Sequence, residues 1–524
     1  MPNTGKPERI QRIRIPLVGS VFSRNWGDSD TLPALSPLDQ RFVNVMFKVV
    51  KNPVTGRTET WAYKRPGIDT GTALVGVNSP CYTARPSFQY GVTGIGSMVA
   101  VYGTGTNTIS IVADTTVGAN KTATNQSFCS RITEDDTGLA AFIITPSSGF
   151  TSLGFVNSGT LIVDADFPGG AIGNFVFKDG YLFVMTAGGR LYNSDLNSRT
   201  AWTSTSFLST PQLAEGSSLA LYNNKICAFS FSYITFYENI GNATGSPLQE
   251  VQDLRIDGYG LAGHLASNTS GEYASHRVFE ANNTVFWVNN PNLSSGPGVY
   301  MMDGFKPRKI SSPDVDHDLG RVTYSSVRIL GIAEFFGSNH LFISTGDQAT
   351  DYIWAYCIDT GLWSTWESAL FATCPAIFNN PENTTGSVAV SARTKEVLIY
   401  SGTSIHKFSS ETFLSTDRVF TDNSATMTMT IQTGALDFGT NNKKRLNSIR
   451  LIGNDPRESS VCGISWSDDD GQTWSTARNV DMNDLDPKLN TCGTFRRRQF
   501  RITNSTNAPC ELESMELNYE ILNS

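Results

Sequence analysis

The sequence contains few charged residues and no long apolar run. Only 17% of its 524 residues are charged, and no stretch of about 18 apolar residues occurs that could cross a membrane. We therefore expect no membrane insertion. The net charge of −8 argues against a protein that grips nucleic acid by its phosphates, but an acidic surface would let DNA slide past. The polar N-terminus lacks the apolar segment of a signal peptide, so synthesis in the cytoplasm is expected.

Cysteine and histidine occur without the spacing that metal sites or disulfide frameworks need. The eight cysteines are scattered with no C-x-x-C pair, and the five histidines include no pair four residues apart. Reduced structural thiols are therefore the expectation. The motifs of metalloproteases, serine hydrolases, phosphate-binding loops and dinucleotide-binding folds are absent from the sequence as well. We expect no enzyme activity, no metal ion and no cofactor.

Aromatic and turn-forming residues are abundant instead. Aromatics make up 11% of the chain and there are 46 glycines, which together with the low charge favours an all-β protein. The clearest hairpin joins strands predicted over 341–344 and 352–358. In its second strand, aromatic residues such as Trp354 fall on one face and small apolar residues such as Ala355 on the other. A strand that is apolar on both faces indicates a hairpin buried between neighbouring sheets.

Similar strand–turn–strand units recur at intervals of roughly 40 to 60 residues, which is the spacing of the blades of a β-propeller. Six or seven blades fit the length. The first strands of the units are predicted to begin near Met98, Leu139, Tyr181, Lys225, Thr284, His340 and Val388. A short helix is expected to interrupt the blades, with Ser312 as its N-cap, Pro313 at its first position and Asp314 in its first turn.

Three regions follow from these patterns. Residues 1–75 contain isolated short strands and prolines, and are predicted to be an extended segment that lies against another domain. Residues 76–420 are the predicted β-propeller. Residues 421–524 contain alternating strands without a helical period and predict a C-terminal β-sandwich. We expect the N-terminal segment to join this sandwich in one platform.

One hairpin motif in the C-terminal region is complete. Residues 467–474, SDDDGQTW, match the S-x-D-x-G-x-T-W pattern of an Asp-box. Its aspartate can accept hydrogen bonds from turn amides, its glycine can adopt positive φ, and its tryptophan can cover the turn. Because turn chemistry explains the whole motif, we interpret it as a structural device formed by Ser467, Asp469, Gly471, Thr473 and Trp474.

A tripeptide near the N-terminus raises an alternative function. Arg14-Ile15-Pro16 matches the R-I-P sequence that precedes the Asp-boxes of sialidases, in which arginines clamp a substrate carboxylate and a tyrosine attacks. A sialidase-like propeller hydrolase is therefore a second hypothesis. Two facts oppose it: the chain has one Asp-box where that family carries several, and this Asp-box lies outside the repeats.

Two basic clusters and one acidic segment are the remaining candidates. The basic clusters are Lys443, Lys444 and Arg445, and Arg496, Arg497 and Arg498. They are either solvated hairpin ends or electrostatic contacts with an acidic neighbouring subunit or with passing DNA. The acidic segment 314–318 resembles the start of a calcium loop, but its glycine comes one position late and Ser325 stands where the loop needs glutamate. The predicted helix start explains these acids better.

Short motifs along most of the chain share one likeness. They are FVNV (42–45), KRPGI (64–68), DADFP (164–168), NFVFKDGYLF (174–183), YNSDLN (192–197) with Trp202, YITFY (233–237) and RKIS (308–311). In this order they resemble the tail-hub proteins of short-tailed bacteriophages, also called nozzle or packaged DNA stabilisation proteins. A single Asp-box near the C-terminus also recurs in such tail proteins.

The resemblance implies a structural virion protein of the phage tail, made in the host cytoplasm. Its copies would form a homo-oligomeric ring of about six subunits below the portal and its adaptor, with the propellers around an axial channel. Such a ring retains packaged DNA, lets double-stranded DNA pass at infection, and carries tail fibres, spikes or a needle protein. A non-catalytic tail protein that recognises a host glycan is the third hypothesis.

Overall fold

The protein consists almost entirely of β-strands. The computed structural model describes residues 10–18, 40–51, 58–73, the strands between 81 and 162, and residues 164–522 except 169–170, 187–188, 199–200, 210–215, 243–244, 262–276, 282, 323–326, 346–351, 375–376, 380–396, 402–403 and 410–418. Regular structure in these residues is nearly all strand, so the predicted all-β class is confirmed. None of the helices in the described residues is long and apolar enough to span a membrane.

The N-terminal segment supplies five strands, which take part in three different sheets. They are β1 (Gln11–Pro16), β2 (Arg41–Val43), β3 (Val45–Lys51), β4 (Thr58–Lys64) and β5 (Thr72–Ala73).

Seven antiparallel sheets of four main strands, named sheets 1 to 7, follow in chain order. Sheet 1 contains β6 (Cys81–Pro86), β7 (Met98–Gly105), β8 (Thr108–Ala113) and β9 (Thr116–Thr122), and sheet 2 contains β10 (Phe128–Asp135), β11 (Gly138–Thr145), β12 (Phe150–Phe155) and β13 (Leu161–Ile162). Sheet 3 contains β14 (Ala171–Lys178), β15 (Tyr181–Thr186), β16 (Arg190–Ser194) and β17 (Trp202–Ser209). Sheet 4 contains β18 (Gly216–Tyr222), β19 (Lys225–Ser230), β20 (Tyr233–Asn239) and β21 (Leu248–Glu250), with β22 (Ile256–Asp257) also paired to β20.

The last three sheets have the same plan. Sheet 5 contains β23 (Val278–Ala281), β24 (Thr284–Val288), β25 (Val299–Asp303) and β26 (Lys306–Lys309). Sheet 6 contains β27 (Arg328–Phe335), β28 (Ser338–Ser344), β29 (Tyr352–Cys357) and β30 (Leu362–Glu367). Sheet 7 contains β31 (Ile377–Asn379), β32 (Val397–Ser401) and β33 (Ser404–Lys407), and its fourth strand is β5 from the N-terminal segment.

Neighbouring sheets touch through their first strands. Each of β6, β10, β14, β18, β23 and β27 lies against the first strand of the next sheet, and β31 of sheet 7 lies against β6 of sheet 1. Sheets 6 and 7 approach especially closely at Gly331, whose φ is +145° and whose missing Cβ would lie 2.2 Å from the carbonyl oxygen of Ile377. Glycine is required there because a side chain has neither the space nor the backbone conformation.

The strands predicted to open the repeats are in fact the second strands of the sheets. Six of the seven predicted starts fall in, or next to the start of, β7, β11, β15, β19, β24 and β28, and the seventh, Val388, lies outside the described residues. The first strands escaped recognition because the pairing of five of them with the second strand contains a register shift. Such a bulge breaks the period of two on which strand prediction depends.

The predicted hairpin of sheet 6 is confirmed, including its burial on both faces. Ile353 and Ala355 of β29 belong to an apolar cluster that contains Ile377 and Ile399 of sheet 7. Tyr356, on the opposite face, belongs to a cluster with residues of sheet 5.

The predicted helix is confirmed as well. Helix α1 spans Pro313–Arg321, and the Ser312 hydroxyl accepts a hydrogen bond from the backbone N–H of Val315. Val315 and Leu319 bury the apolar face of the helix against sheets 5 and 6. A 3-10 helix over Ala369–Thr373 follows sheet 6.

The C-terminal strands form one two-stranded hairpin, over 421–426, and two larger sheets that face each other. The strands are β34 (Thr421–Asp422), β35 (Ala425–Thr426), β36 (Met429–Gln432), β37 (Lys444–Gly453), β38 (Val461–Ser467), β39 (Arg478–Asp481), β40 (Lys488–Asn490), β41 (Thr494–Phe495), β42 (Gln499–Asn504) and β43 (Glu511–Ile521). Sheet A has the order β3-β4-β43-β37-β40, with β1 also paired to β43 and β41 to β37. Sheet B has the order β2-β36-β42-β38-β39.

One apolar core lies between sheets A and B. Phe47 and Leu517 of sheet A and Ile464 and Phe500 of sheet B are all less than 2% exposed within it. Sheet B is also continuous with sheet 6, because β2 pairs in parallel with β30 at Val43 and Thr365. The N-terminal segment therefore completes both sheets of the sandwich and the edge of sheet 7.

Candidate functional site

The Asp-box forms a turn at the end of β38 that its own side chains hold closed. Asp469 accepts hydrogen bonds from the backbone N–H of Thr473 at 2.9 Å and from the hydroxyl of Ser467 at 2.6 Å. The Ser467 hydroxyl in turn accepts from the N–H of Gly471, which has φ of +87°. The indole N–H of Trp474 donates to the carbonyl oxygen of Gly471, so the ring covers the turn. The Arg501 guanidinium lies 3.8 Å from the centre of that ring.

These hydrogen bonds also act on the charge of the turn. Donation by Ser467 and Thr473 lowers the pKa of Asp469 to about 2. The carboxylate is therefore ionised at any pH at which the protein is expected to work. Its oxygens are engaged by the turn itself, and this agrees with a structural role for the motif.

The cluster Arg496–Arg498 is mostly engaged within the chain. Arg498 is 2% exposed; it donates to both carboxylate oxygens of Asp468, at 2.7 and 2.8 Å, and to the carbonyl oxygen of Cys492. Arg497 forms an exposed ion pair with Asp470. Arg496 is exposed and donates to the carbonyl oxygen of Asn441. Arg497 and Arg498 thus hold the Asp-box through Asp470 and Asp468. Arg496 holds the connection that precedes β37.

The cluster Lys443–Arg445 is divided in the same way. Lys444 is fully buried and donates to the carbonyl oxygens of Thr440, Asn442 and Arg496. Burial lowers the pKa of its ammonium group. Lys443 and Arg445, on either side of Lys444 at the start of β37, are exposed.

The predicted surface of electrostatic contacts is therefore corrected for two residues. Lys444 and Arg498 are buried and cannot meet a neighbouring subunit or DNA, because their side chains turn inward to partners within the chain. Lys443, Arg445, Arg496 and Arg497 remain exposed.

Replacing Arg498 by lysine should test this structural role. Lysine cannot form the two-point contact with Asp468 and leaves the carbonyl oxygen of Cys492 without its donor, so we expect a loss of about 2 kcal/mol in the free energy of unfolding. The matched control is Arg497→Lys, at an exposed pair, with an expected loss below about 1 kcal/mol. Urea denaturation of both variants measures the difference. Equal losses in the two would contradict the buried role of Arg498.

A second polar cluster, which sequence reasoning did not find, lies where sheet 6 meets the sandwich. Arg65 is fully buried, and its guanidinium donates to Asp422, to the side-chain oxygen of Asn44 at 2.8 Å and to the carbonyl oxygen of Glu367 at 2.8 Å. The ring centre of Trp366 lies 5.5 Å from it. The Arg65–Asp422 pair joins residues that are 357 positions apart, and no local sequence pattern predicts it.

The residues behind the alternative hypotheses have partners within the chain. Arg14 is on β1 of the sandwich, where it pairs with Glu513 and donates to the hydroxyl of Ser514. In the acidic segment, Asp316 pairs with Lys309, and Asp318 accepts from the side chains of Tyr352 and Trp354. Within the described residues, no group of three or more His, Cys, Asp or Glu side chains is arranged to hold a metal ion.

The motifs of the phage-tail resemblance come together as packing and turn contacts. In sheet 3, Asp164 accepts from the backbone N–H of Trp202, and the Phe167 ring packs edge-on against the Trp202 indole at 4.8 Å. The turn at Gly180 is held by a hydrogen bond from the N–H of Asn197. The FVNV and KRPGI motifs meet through Asn44 and Arg65, whose backbones are also hydrogen-bonded.

Comparisons with known proteins add little to this picture. The chain matches no protein-family model and no curated protein. Among solved structures, it is similar to the computationally designed Ika8 protein, with a TM-score of 0.30 and 11% identity over 64% of this chain and 98% of that chain. It is also similar to a chain of the mitotic checkpoint complex, with a TM-score of 0.38 and 7% identity over 66% of this chain and 95% of that chain. Both TM-scores are too low to carry a conclusion.

Proposed function

We propose that the protein is the hub or nozzle of a short-tailed phage tail, a structural protein without catalytic activity. In this proposal sheets 1 to 7 are the seven blades of a closed β-propeller, and the sandwich is a platform attached to it. Closure is supported by the contacts between successive first strands, including that of β31 with β6. It is also supported by β5, which completes sheet 7 with a strand from the opposite end of the propeller sequence.

The observation that carries the proposal is that the N-terminal segment is part of both the sandwich and sheet 7. Its strands complete sheets A, B and 7, and the buried Arg65–Asp422 pair lies at the junction between sheet 6 and the sandwich. Such a connection makes one rigid body from two units, because neither can rotate without breaking strand pairing and uncovering a buried charge. A ring that retains DNA under pressure needs subunits of this kind.

The motifs that suggest the phage tail support the same conclusion. FVNV, KRPGI, DADFP and the turn motifs of sheet 3 are residues of the scaffold, engaged in the contacts described above. A likeness carried by scaffold residues concerns architecture rather than catalysis. In this proposal about six copies form a ring below the portal and adaptor in the virion tail, after synthesis in the host cytoplasm. The ring carries fibres, spikes or a needle and lets double-stranded DNA pass.

Imaging of the purified full-length protein tests the proposal. We expect rings of about six copies by negative-stain microscopy and light scattering, either with the protein alone or after mixing with its portal–adaptor ring. Monomers in both preparations would refute the hub assignment. Duplex DNA should bind weakly at physiological salt, since an acidic channel repels phosphate.

The two alternative functions give different results in the same preparation. Release of a reporter from a sialoside, abolished by Arg14→Ala, would favour the sialidase-like hydrolase. Stable binding of a host glycan by a protein that forms no ring would favour the receptor-binding hypothesis. If the protein is a tail hub, we expect neither sialoside hydrolysis nor glycan binding by a protein that forms no ring.

A further inference from the structure

Two cysteine thiols face each other across the sandwich. Cys462 lies on β38 of sheet B, and Cys510 directly precedes β43 of sheet A. Their sulfur atoms are 3.6 Å apart, and the two residues are 0% and 2% exposed. Both cysteines are free thiols. The pair is separated by 48 positions in sequence, and both residues belong to the apolar core between sheets A and B, so a bond between the sulfurs would join the two sheets.

The surroundings of the pair favour a reactive thiolate on Cys462. The hydrogen bond between the two thiols lowers the pKa of the Cys462 thiol, and Asn504 and Lys64 act in the same direction against the effect of burial. The Asn504 side-chain nitrogen lies 3.9 Å from the Cys462 sulfur. The Lys64 ammonium donates to the Asn504 side-chain oxygen at 2.9 Å, and burial lowers its pKa to about 8. A cation and an amide dipole beside a thiol are the features that make cysteines nucleophilic.

We propose that Cys462 and Cys510 are an oxidative modification site that forms an intersheet disulfide in the presence of a hydroperoxide. The Cys462 thiolate attacks the peroxide oxygen, the O–O bond breaks, and Cys462 becomes a sulfenic acid while hydroxide leaves. The Cys510 sulfur then attacks the Cys462 sulfur and expels the hydroxyl group, which leaves as water with the proton of Cys510. In total the protein loses two hydrogens and hydrogen peroxide is reduced to two waters.

A hydroperoxide suits the site because the pair is buried. A small oxidant can reach the two sulfur atoms through a local opening of the chain. Residues 505–509, which connect β42 to β43, are a short segment that ends next to Cys510. Ser505 and Asn507 in this connection are exposed. The resulting cross-link restricts the unfolded chain and is therefore expected to stabilise the sandwich.

Peptide mapping of the full-length protein tests the proposal. The reduced protein is treated with hydrogen peroxide, remaining thiols are alkylated, and the chain is digested with trypsin. Cys462, Cys510 and Cys492 fall in separate tryptic peptides, 458–478, 502–524 and 489–496. We expect the first two peptides to be joined, with a mass two hydrogens below their sum, and peptide 489–496 to remain alkylated. The oxidised protein should also unfold several degrees above the reduced protein.

Cysteine variants supply the controls. Cys462→Ser and Cys510→Ser should each lose the joined peptide and the thermal shift, whereas Cys492→Ser, at another buried cysteine of the sandwich, should keep both. The mapping of the unaltered protein needs no variant, so a folding defect in either serine variant leaves the test intact. Peroxide-treated protein in which both peptides stay alkylated, or carry separate sulfinic acids, would overturn the proposal. So would a cross-link that uses Cys492.

Discussion

Replacing Arg65 by methionine is expected to lower the free energy of unfolding by about 3–5 kcal/mol, since removal of one partner leaves a buried charge uncompensated. The guanidinium is 0% exposed and donates to Asp422, Asn44 and the carbonyl oxygen of Glu367. Methionine fills much of the same space but provides no donor, so Asp422 remains buried without its cation. Urea denaturation followed by tryptophan fluorescence measures the loss, because Trp366 lies against Arg65.

The control for this prediction is another ion pair that involves the N-terminal segment. Arg12 pairs with Glu516, but the Arg12 side chain is 64% exposed. Arg12→Met should therefore cost much less than Arg65→Met, because solvent screens an exposed guanidinium. The double variant Arg65→Met with Asp422→Leu removes both buried charges and should recover part of the loss. If Arg65→Met proved as mild as Arg12→Met, the junction would not depend on the buried pair.

Whether a feature could be predicted from the sequence depended on how far apart its interacting residues lie. Every hydrogen bond that closes the Asp-box joins residues within the eight positions of the motif, so the letters alone predict the turn. The helix cap at Ser312 is equally local. The Arg65–Asp422 pair spans 357 positions, and the letters KRPG at 64–67 give no sign that the arginine is buried. Only the folded chain brings Asp422 next to Arg65.

Strands were predictable where burial alone sets the pattern. The second strands of the sheets are apolar on both faces and stand out, as YLFVMT in β15 and KICAFS in β19 show. Five of the seven first strands carry a bulge, which breaks the alternation by which a strand is predicted. Strand β5 has only two residues, and its partner β33 lies more than 300 positions away, so no pattern in residues 1–75 could indicate that it belongs to sheet 7.

The exposure of each residue in the two basic clusters could not be predicted, for a related reason. A run such as Arg496–Arg498 looks like a uniform basic patch, but the third arginine turns inward to Asp468 while the second stays at the surface. Lys444 is buried between two exposed basic residues in the same way. The exposed members, Lys443, Arg445, Arg496 and Arg497, are the ones through which the proposed hub could meet an acidic neighbour.

Acidification should destabilise the protein through the buried histidine His340. His340 is 1% exposed, its ring contacts Phe335, Phe342 and Trp366, and burial lowers its pKa to about 4. In the unfolded chain a histidine titrates near pH 6.5, so the unfolded state binds the proton first as the pH falls. Stability is therefore unaffected by this group above about pH 6.5 and declines by about 3 kcal/mol between there and pH 4.

Urea denaturation at several pH values between 7 and 4 measures this effect against His340→Gln, which is close in size and does not titrate. The glutamine amide can donate to the carbonyl oxygen of Ser338, which is the contact of the histidine Nδ1 at 3.1 Å. The variant should lose most of the decline between pH 6.5 and 4, whereas His406→Gln, at a buried histidine of sheet 7, should keep it. An unchanged decline in His340→Gln would assign the acid sensitivity to other groups. A flattened one would show that the interior of sheet 6, between its neighbours, excludes a proton that the unfolded chain accepts readily.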